Sequence, residues 1–235
     1  MNLVLLLPED WTGPGRVRLE GRRWRHVCEV LGTALGEDLS VGCLDGPIGW
    51  GRVSRRGEGF LELDVEASQP PPAKHPVQLV LALPRPKVLN RVLASATSLG
   101  IEAIHLVNAW KVEKSYWKSP RLAPENLLQQ RLLGLEQARD TILPTLHLHR
   151  LFRPFAEEVL PGLVQGRTAL AAHPGAPDAC PRDLGGPALL AVGPEGGWID
   201  AELDSLQVAG VRTVDLGPRI LRVETAVAAL MGRLF

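Results

Sequence analysis

The sequence predicts an α/β protein: a mostly parallel sheet flanked by helices, preceded by a small β-rich module. Three observations carry this prediction. A proline-rich stretch from Ala67 to Pro76, with Pro70-Pro71-Pro72 at its centre, favours an extended connector between two segments of different rhythm. Before it, short alternating stretches are separated by turn residues. After it, apolar runs alternate with longer stretches at helical spacing, the signature of βα units and a parallel sheet. The reading divides the chain into residues 1–72 and 73–235.

In the first segment, residues 2–7, 39–44, 48–54 and 60–66 read as strands. Asp45-Gly46-Pro47 and Arg56-Gly57-Glu58-Gly59 supply turns, and residues 23–31 read as a helix. Residues 77–83 then form an apolar strand. Val88, Leu89, Val92, Leu93, Ala96 and Leu99 recur at helical spacing over 87–99, with Gly100 placed to end that helix. Strands follow at 101–108 and 143–148, with a helix at 125–138 between them. Residues 168–172 and 188–192 read as buried strands. Asp200 is placed as N-cap of a helix over 201–209, a strand follows at 212–216, and a helix runs from Ile220 to the end.

The chain has 235 residues, 45% hydrophobic and 22% charged, enough to bury a core and too apolar for wholesale disorder. Lys plus Arg and Asp plus Glu balance at 26 each, so no global field draws the protein to DNA or to anionic lipid. Any RNA contact rests on local clusters of cations. The run Leu3–Leu7 is too short for a signal peptide core or a membrane span. Cys28, Cys43 and Cys180 are odd in number and form no CxxC, which suits reduced thiols in a cytoplasmic globular protein. His147 and His149, two apart on a strand, share a face but have no acidic or Cys partner nearby in sequence, so surface histidines and no metal are expected. His105 reads as a satisfied core or boundary residue.

Two segments carry chemistry. Gly193-Pro194-Glu195-Gly196-Gly197-Trp198 directly follows a buried strand, at the carboxyl end where α/β sheets bind ligands. Its glycines let backbone approach a ligand, though the spacing is neither GxGxxG nor a Walker loop. Leu216-Gly217-Pro218-Arg219-Ile220-Leu221-Arg222-Val223-Glu224-Thr225-Ala226 also follows a strand and opens a helix. Its arginines want carboxylate or ligand partners, and Glu224 or Glu195 could supply them. Taken from the residues alone, both segments are equally consistent with a tight turn and a structural Arg–Glu pair.

Together, GPEGG-W-I-D-x-E and LG-x-RILR-x-ETA resemble the signature of the bacterial 16S rRNA (uracil-1498-N3) methyltransferases, of the trefoil-knotted SPOUT class. The resemblance covers nearly the whole chain. It implies a PUA-like RNA-binding module followed by a SPOUT domain that uses S-adenosylmethionine and assembles as a homodimer. By position it places Gly193, Glu195, Gly196 and Gly197 on one wall of the cofactor site. Leu216, Gly217, Ile220, Leu221, Arg222 and Thr225 would form another, and Ala171-Ala172-His173-Pro174-Gly175 would close the adenosine pocket. The chain departs from the family at Arg85, Lys87 and Ser98-Leu99-Gly100, where the family has a Lys-rich start and ELG. It departs again at Glu136-Gln137-Ala138-Arg139-Asp140, which puts Asp at the usual Arg position, and at Val30-Leu31-Gly32.

Uracil N3 is a poor nucleophile until its proton leaves, so the reaction needs a base or cationic donors for the charge that spreads onto O2 and O4. Arg222 is the candidate for that stabilisation; Glu195 or Glu224 either accepts the proton or orients Arg222. Two stretches interleave cations with aromatics as RNA contact requires. One is Arg22-Arg23-Trp24-Arg25-His26; the other holds Lys111, Lys114, Tyr116, Trp117, Lys118 and Arg121. The expected partner is 16S rRNA or the small ribosomal subunit. The alternatives are the same chemistry on another RNA site, or a non-catalytic RNA-binding knotted protein.

Overall fold

The computed structural model describes residues 2–235. They form two compact units: one runs to Ala73 and also takes in Leu132–Leu143, and the other comprises Lys74–Arg131 and Pro144–Phe235.

The first unit is built on a six-stranded sheet in the order β1-β4-β5-β6-β3-β2. Its strands are β1 (Val4–Leu6), β2 (Trp11–Gly13), β3 (Arg16–Glu20), β4 (Asp38–Cys43), β5 (Ile48–Gly57) and β6 (Phe60–Gln69). The β1–β4 pair is parallel and the others are antiparallel. Alternation sets the core: Val17 and Leu19 of β3, Val53 of β5, and Leu61 and Leu63 of β6 point inward with Val4, Leu6 and Val41. The helix expected over 23–31 is a short α1 (Gly21–Arg25) that widens into a π-helical stretch, His26–Leu31, closed by Gly32 at φ +67°. β2 and β3 are strands additional to those the sequence predicts.

The other face of β1 is covered within the same unit. Leu3 and Leu5 pack with Leu135, beside Leu132 and Leu143. Glu136 is 2% exposed, and both its oxygens accept from Arg22 Nη2 at 2.8 Å. Its carbonyl also takes the N–H groups of Asn2 and Leu3. Asp140 is buried and accepts from the N–H groups of Thr141 (2.7 Å) and Ile142 (3.0 Å), closing the chain reversal after Arg139, which sits at φ +56°. An acidic side chain here satisfies two backbone donors that an arginine could not.

The second unit carries six parallel strands in the order β12-β10-β11-β7-β8-β9. These are β7 (His75–Ala82), β8 (Ile101–Val107), β9 (Thr145–His149), β10 (Thr168–Ala172), β11 (Ala188–Val192) and β12 (Arg212–Val214). Every residue of β11 is buried, as expected for a central parallel strand. Its helices are α2 (Pro86–Ser98), α3 (Pro124–Ala138, whose last turns belong to the first unit), α4 (Phe152–Pro154), α5 (Leu160–Val164), α6 (Asp200–Val208) and α7 (Val223–Leu234). A π-helical turn, Phe155–Val159, joins α4 to α5. Pro86 opens α2, which buries Leu89, Val92, Leu93 and Ala96, and Gly100 at φ +72° ends it. No helix among the described residues is long and apolar enough to cross a membrane.

Two expected helix starts differ. The N-cap of α6 is Ile199, not Asp200: Glu202 reaches back so that its Oε2 accepts from Ile199 N–H at 3.1 Å, and Asp200 becomes the first helical residue. The last helix begins at Val223 rather than Ile220, with Arg222 as N-cap, because residues 215–222 are spent on the loop that lines the site below.

On the β8–β9 side of this sheet, His105 is 4% exposed and bonded through both ring nitrogens. Nε2 lies 3.0 Å from Gln78 Oε1 and Nδ1 lies 3.2 Å from His149 Nε2. Its ring stacks on His147 at 4.8 Å. Burial, reinforced by the neighbouring imidazoles of His147 and His149, pushes its pKa down to about 3. No group of three or more His, Cys, Asp or Glu among the described residues is placed to hold a metal.

Candidate functional site

A cavity of about 550 Å³ opens at the carboxyl ends of β10 and β11, where a parallel sheet presents its loops. Both motif segments line it. From the first come Gly193, Pro194, Glu195 and Gly197; from the second, Asp215, Leu216, Arg219, Ile220, Leu221, Arg222 and Glu224. The end of β10 adds Ala172, His173 and Pro174.

The sequence makes these loops close-fitting. Gly193 lies against Trp198, where a Cβ would meet the backbone nitrogen and the indole at 3.2 Å. Gly197 sits at φ +71° and donates to Pro194 O at 2.7 Å, a turn that disfavours a side chain. In the second loop, Gly217 donates to Asp215 Oδ1 at 3.1 Å. His173 is tied by its N–H to Val214 O at 3.0 Å.

Of the expected cofactor residues, His173, Gly193, Glu195, Gly197, Leu216, Ile220, Leu221 and Arg222 line the cavity, whereas Gly196, Gly217 and Thr225 do not. Gly196 instead carries the loop's outer contact: its carbonyl accepts from Lys111 Nζ at 2.7 Å. Ile220 is 84% exposed although it faces the cavity, an apolar side chain held at the rim.

The sequence missed a fourth wall, the start of α2. Arg85, Val88 and Arg91 line the cavity, and the two candidate carboxylates turn out to be tied to this helix. Glu195 Oε1 accepts from the Arg85 N–H at 3.0 Å, and Glu224 Oε1 accepts from Arg91 Nη2 at 3.1 Å. The Arg–Glu pairing expected within the motifs is therefore an Arg91–Glu224 pair. No local sequence signal could have found it, because the partners are separated by 133 positions.

The expected RNA residues separate into two groups. Arg23 is locked to the buried Asp10 through both terminal guanidinium nitrogens, Nη2 at 2.7 Å, and its Nη1 also donates to Leu5 O. Arg22 holds Glu136, Trp24 packs against the core of the first unit, and Arg25 stays exposed. His26 is half-buried. Lys111 and Lys114 are exposed, on the segment that follows β8 in the second unit.

The cavity suits S-adenosylmethionine on this chain's own chemistry. His173 Nδ1 is buried on its wall with no hydrogen-bond partner, an arrangement that leaves a polar atom to be satisfied by a ligand. Leu216, Ile220 and Leu221 offer an apolar flank for a purine, and loop backbone at Gly193 and Gly197 is accessible at close range.

Known proteins agree with this architecture. The family of RNA methyltransferase domains matches residues 71–234. A ribosomal RNA small subunit methyltransferase E from Treponema pallidum is 32% identical over 239 aligned residues, covering 97% of this chain and 88% of that protein. One from Mycobacterium bovis is 29% identical, covering 91% and 84%. Among solved structures, a ribosomal RNA small subunit methyltransferase E from Neisseria gonorrhoeae bound to S-adenosyl methionine superposes with a TM-score of 0.76 at 24% identity, covering 98% of this chain and 95% of that one. With the cavity, the two motif loops and this similarity taken together, the chain belongs to the ribosomal RNA small subunit methyltransferase E family of RNA methyltransferases.

Proposed function

We propose that the chain transfers the methyl group of S-adenosylmethionine to N3 of a uridine in 16S rRNA of the small ribosomal subunit. The observation that carries this reading is that two sequence segments twenty residues apart, GPEGG and LGPRILR, converge on one cavity at the carboxyl ends of β10 and β11.

The bound cofactor supplies an electrophilic methyl on its sulfonium. The chain binds it through loop backbone at Gly193 and Gly197, the His173 ring and the apolar side chains of Leu216, Ile220 and Leu221. Arg222, exposed at the start of α7 and on the cavity wall, donates to the uracil oxygens as negative charge spreads onto them, the stabilisation that matters most when N3 is deprotonated. Glu195 holds the start of α2 to the 193–197 loop with one carboxylate oxygen and offers the other to the N3 proton. Glu224 orients Arg91. Holding N3 in line with the methyl supplies much of the remaining rate.

In the same reading residues 1–72 act as a PUA-like RNA-binding module, with Arg25 among their exposed cations. The catalytic part, 73–235, is a trefoil-knotted SPOUT domain. The protein works in the cytoplasm as a homodimer.

Labelled methyl transfer from S-adenosylmethionine to undermethylated small subunits, followed by nucleoside mapping, tests the proposal. Label is expected in N3-methyluridine. Cofactor binding without label in that nucleoside would overturn the substrate assignment. Replacing Arg222 by Ala should lower kcat by about 10²–10³-fold, the usual effect of removing one charge-stabilising donor.

A further inference from the structure

Trp110 is 80% exposed, against 54% for Trp50 and 38% for Trp11. A large aromatic face left in water at a fixed position is an unusual use of a tryptophan. The other aromatics of its segment are committed. Tyr116 donates its hydroxyl to Glu113 Oε1 at 3.1 Å, and Trp117 donates Nε1 to Asn108 Oδ1 at 2.8 Å while the Arg150 guanidinium lies 5.3 Å from its ring centroid.

The Trp110 backbone, in contrast to its side chain, is firmly held. Its N–H donates to Oε1 of Glu202 at 2.7 Å, and Glu202 is 5% exposed. The preceding Ala109 is buried, and its carbonyl accepts the Val112 N–H at 3.0 Å. The following residue, Lys111, bonds Gly196 O at 2.7 Å. The indole thus stands on a fixed mooring beside the loop that walls the cofactor cavity. A shallow groove of about 330 Å³ runs alongside it, with Phe152 and Ile199 among its apolar walls. Residues 110–121 carry Lys111, Lys114, Lys118 and Arg121 against Glu113 alone.

We propose that Trp110 is a stacking platform for an unpaired nucleobase of the substrate RNA, next to the uridine presented to the cavity. The proposal rests on the RNA methyl-transfer reading above. A rigid π-face flanked by cations is the arrangement single-stranded RNA requires, since any base can stack and the neighbouring phosphates need counter-charge. A second copy of this chain is the poorer occupant. A two-fold interface centred on Trp110 would set Lys111 and Lys114 near their own equivalents.

The test compares full-length wild type with Trp110→Ala and Trp110→Phe. Three quantities are measured: anisotropy of a fluorescein-labelled, uridine-containing single-stranded oligoribonucleotide, KM and kcat on undermethylated small subunits, and S-adenosylmethionine affinity by calorimetry. Loss of the platform should weaken oligonucleotide binding about tenfold and raise KM in parallel, with kcat and cofactor affinity unchanged; Trp110→Phe should recover most of the binding. Wild-type oligonucleotide affinity in Trp110→Ala, equal impairment in both variants, or a changed sedimentation coefficient, which would assign the surface to a second copy, would each overturn it. If the wild type transfers no methyl to the subunits, the functional reading fails, while the oligonucleotide comparison still decides the role of Trp110.

Discussion

Glu195 shows how one side chain carries two readings. From the sequence it is a carboxylate in a glycine-rich loop, equally suited to chemistry or to a turn. In the structure it also accepts from the backbone N–H of Arg85, the residue that caps α2, so Glu195→Gln should keep the cavity wall and lose only the proton acceptor. We expect that variant to bind S-adenosylmethionine as wild type and to shift its pH–rate profile, whereas Glu195→Ala should weaken cofactor binding as well. A Glu195→Gln profile identical to wild type would remove Glu195 from the chemistry. Arg23 and Asp10 form a different kind of pair, with side chains 15% and 6% exposed. Asp10→Asn should cost about 3 kcal/mol or more in denaturant unfolding, because it leaves a mostly buried guanidinium without its counter-charge. That Arg23 pairs with a buried carboxylate was not legible from Arg22-Arg23-Trp24-Arg25. A run of cations looks the same whether or not a carboxylate thirteen positions upstream folds back onto it.

At the scale of elements, buried runs translate most directly. Residues 168–172 and 188–192 are strands over their full predicted lengths, because a strand covered on both faces has no choice but continuous apolar sequence. Half-buried elements are harder to place: β3 alternates Arg16, Val17, Arg18, Leu19 and Glu20, a short signal whose meaning depends on its pairing with β6. The α2 wall of the site was invisible for a related reason. Its helical period announced a helix, but which end meets the cavity is set by tertiary packing. The His105 stack makes β8 and β9 sensitive to acid. The unfolded chain protonates this imidazole near its ordinary pKa of 6.5 and the folded chain only near 3, so the unfolded state binds more protons between those values. The stabilisation is complete above pH 6.5 and is lost as pH falls toward 3. His105→Gln should therefore flatten the decline of melting temperature below pH 6.5, measured by circular dichroism. An unchanged slope would show that His105 does not set the acid limit.

For the whole molecule, the two units are not successive along the chain. The proline stretch at 70–72 reads as a boundary, and the first unit does run to Ala73, but it also requires Leu132–Leu143. Nothing local marks that return, since Leu132 and Leu135 sit in the same helical period as the residues before them. A fragment ending at Ala73 would lack Leu135, which covers Leu3 and Leu5, and Glu136, which holds Arg22. We expect such a fragment to bind hydrophobic dyes and to lose cooperative thermal unfolding. A sharp, dye-silent transition in the isolated fragment would show that β1 is self-sufficient.

Glu202 has a consequence of a different order. With one oxygen it holds the backbone of Trp110 and with the other that of Ile199, which follows the glycine loop. A single anion is thus the common tether of two loops with distinct clients, and neither loop can be retuned by substitution at that position without disturbing the other. In a mutational screen, changes at residue 202 would register as a joint loss of cofactor and RNA affinity, although the side chain is only 5% exposed. Within this segment, substitutions at the exposed Trp110 and Lys114 leave that tether as it is.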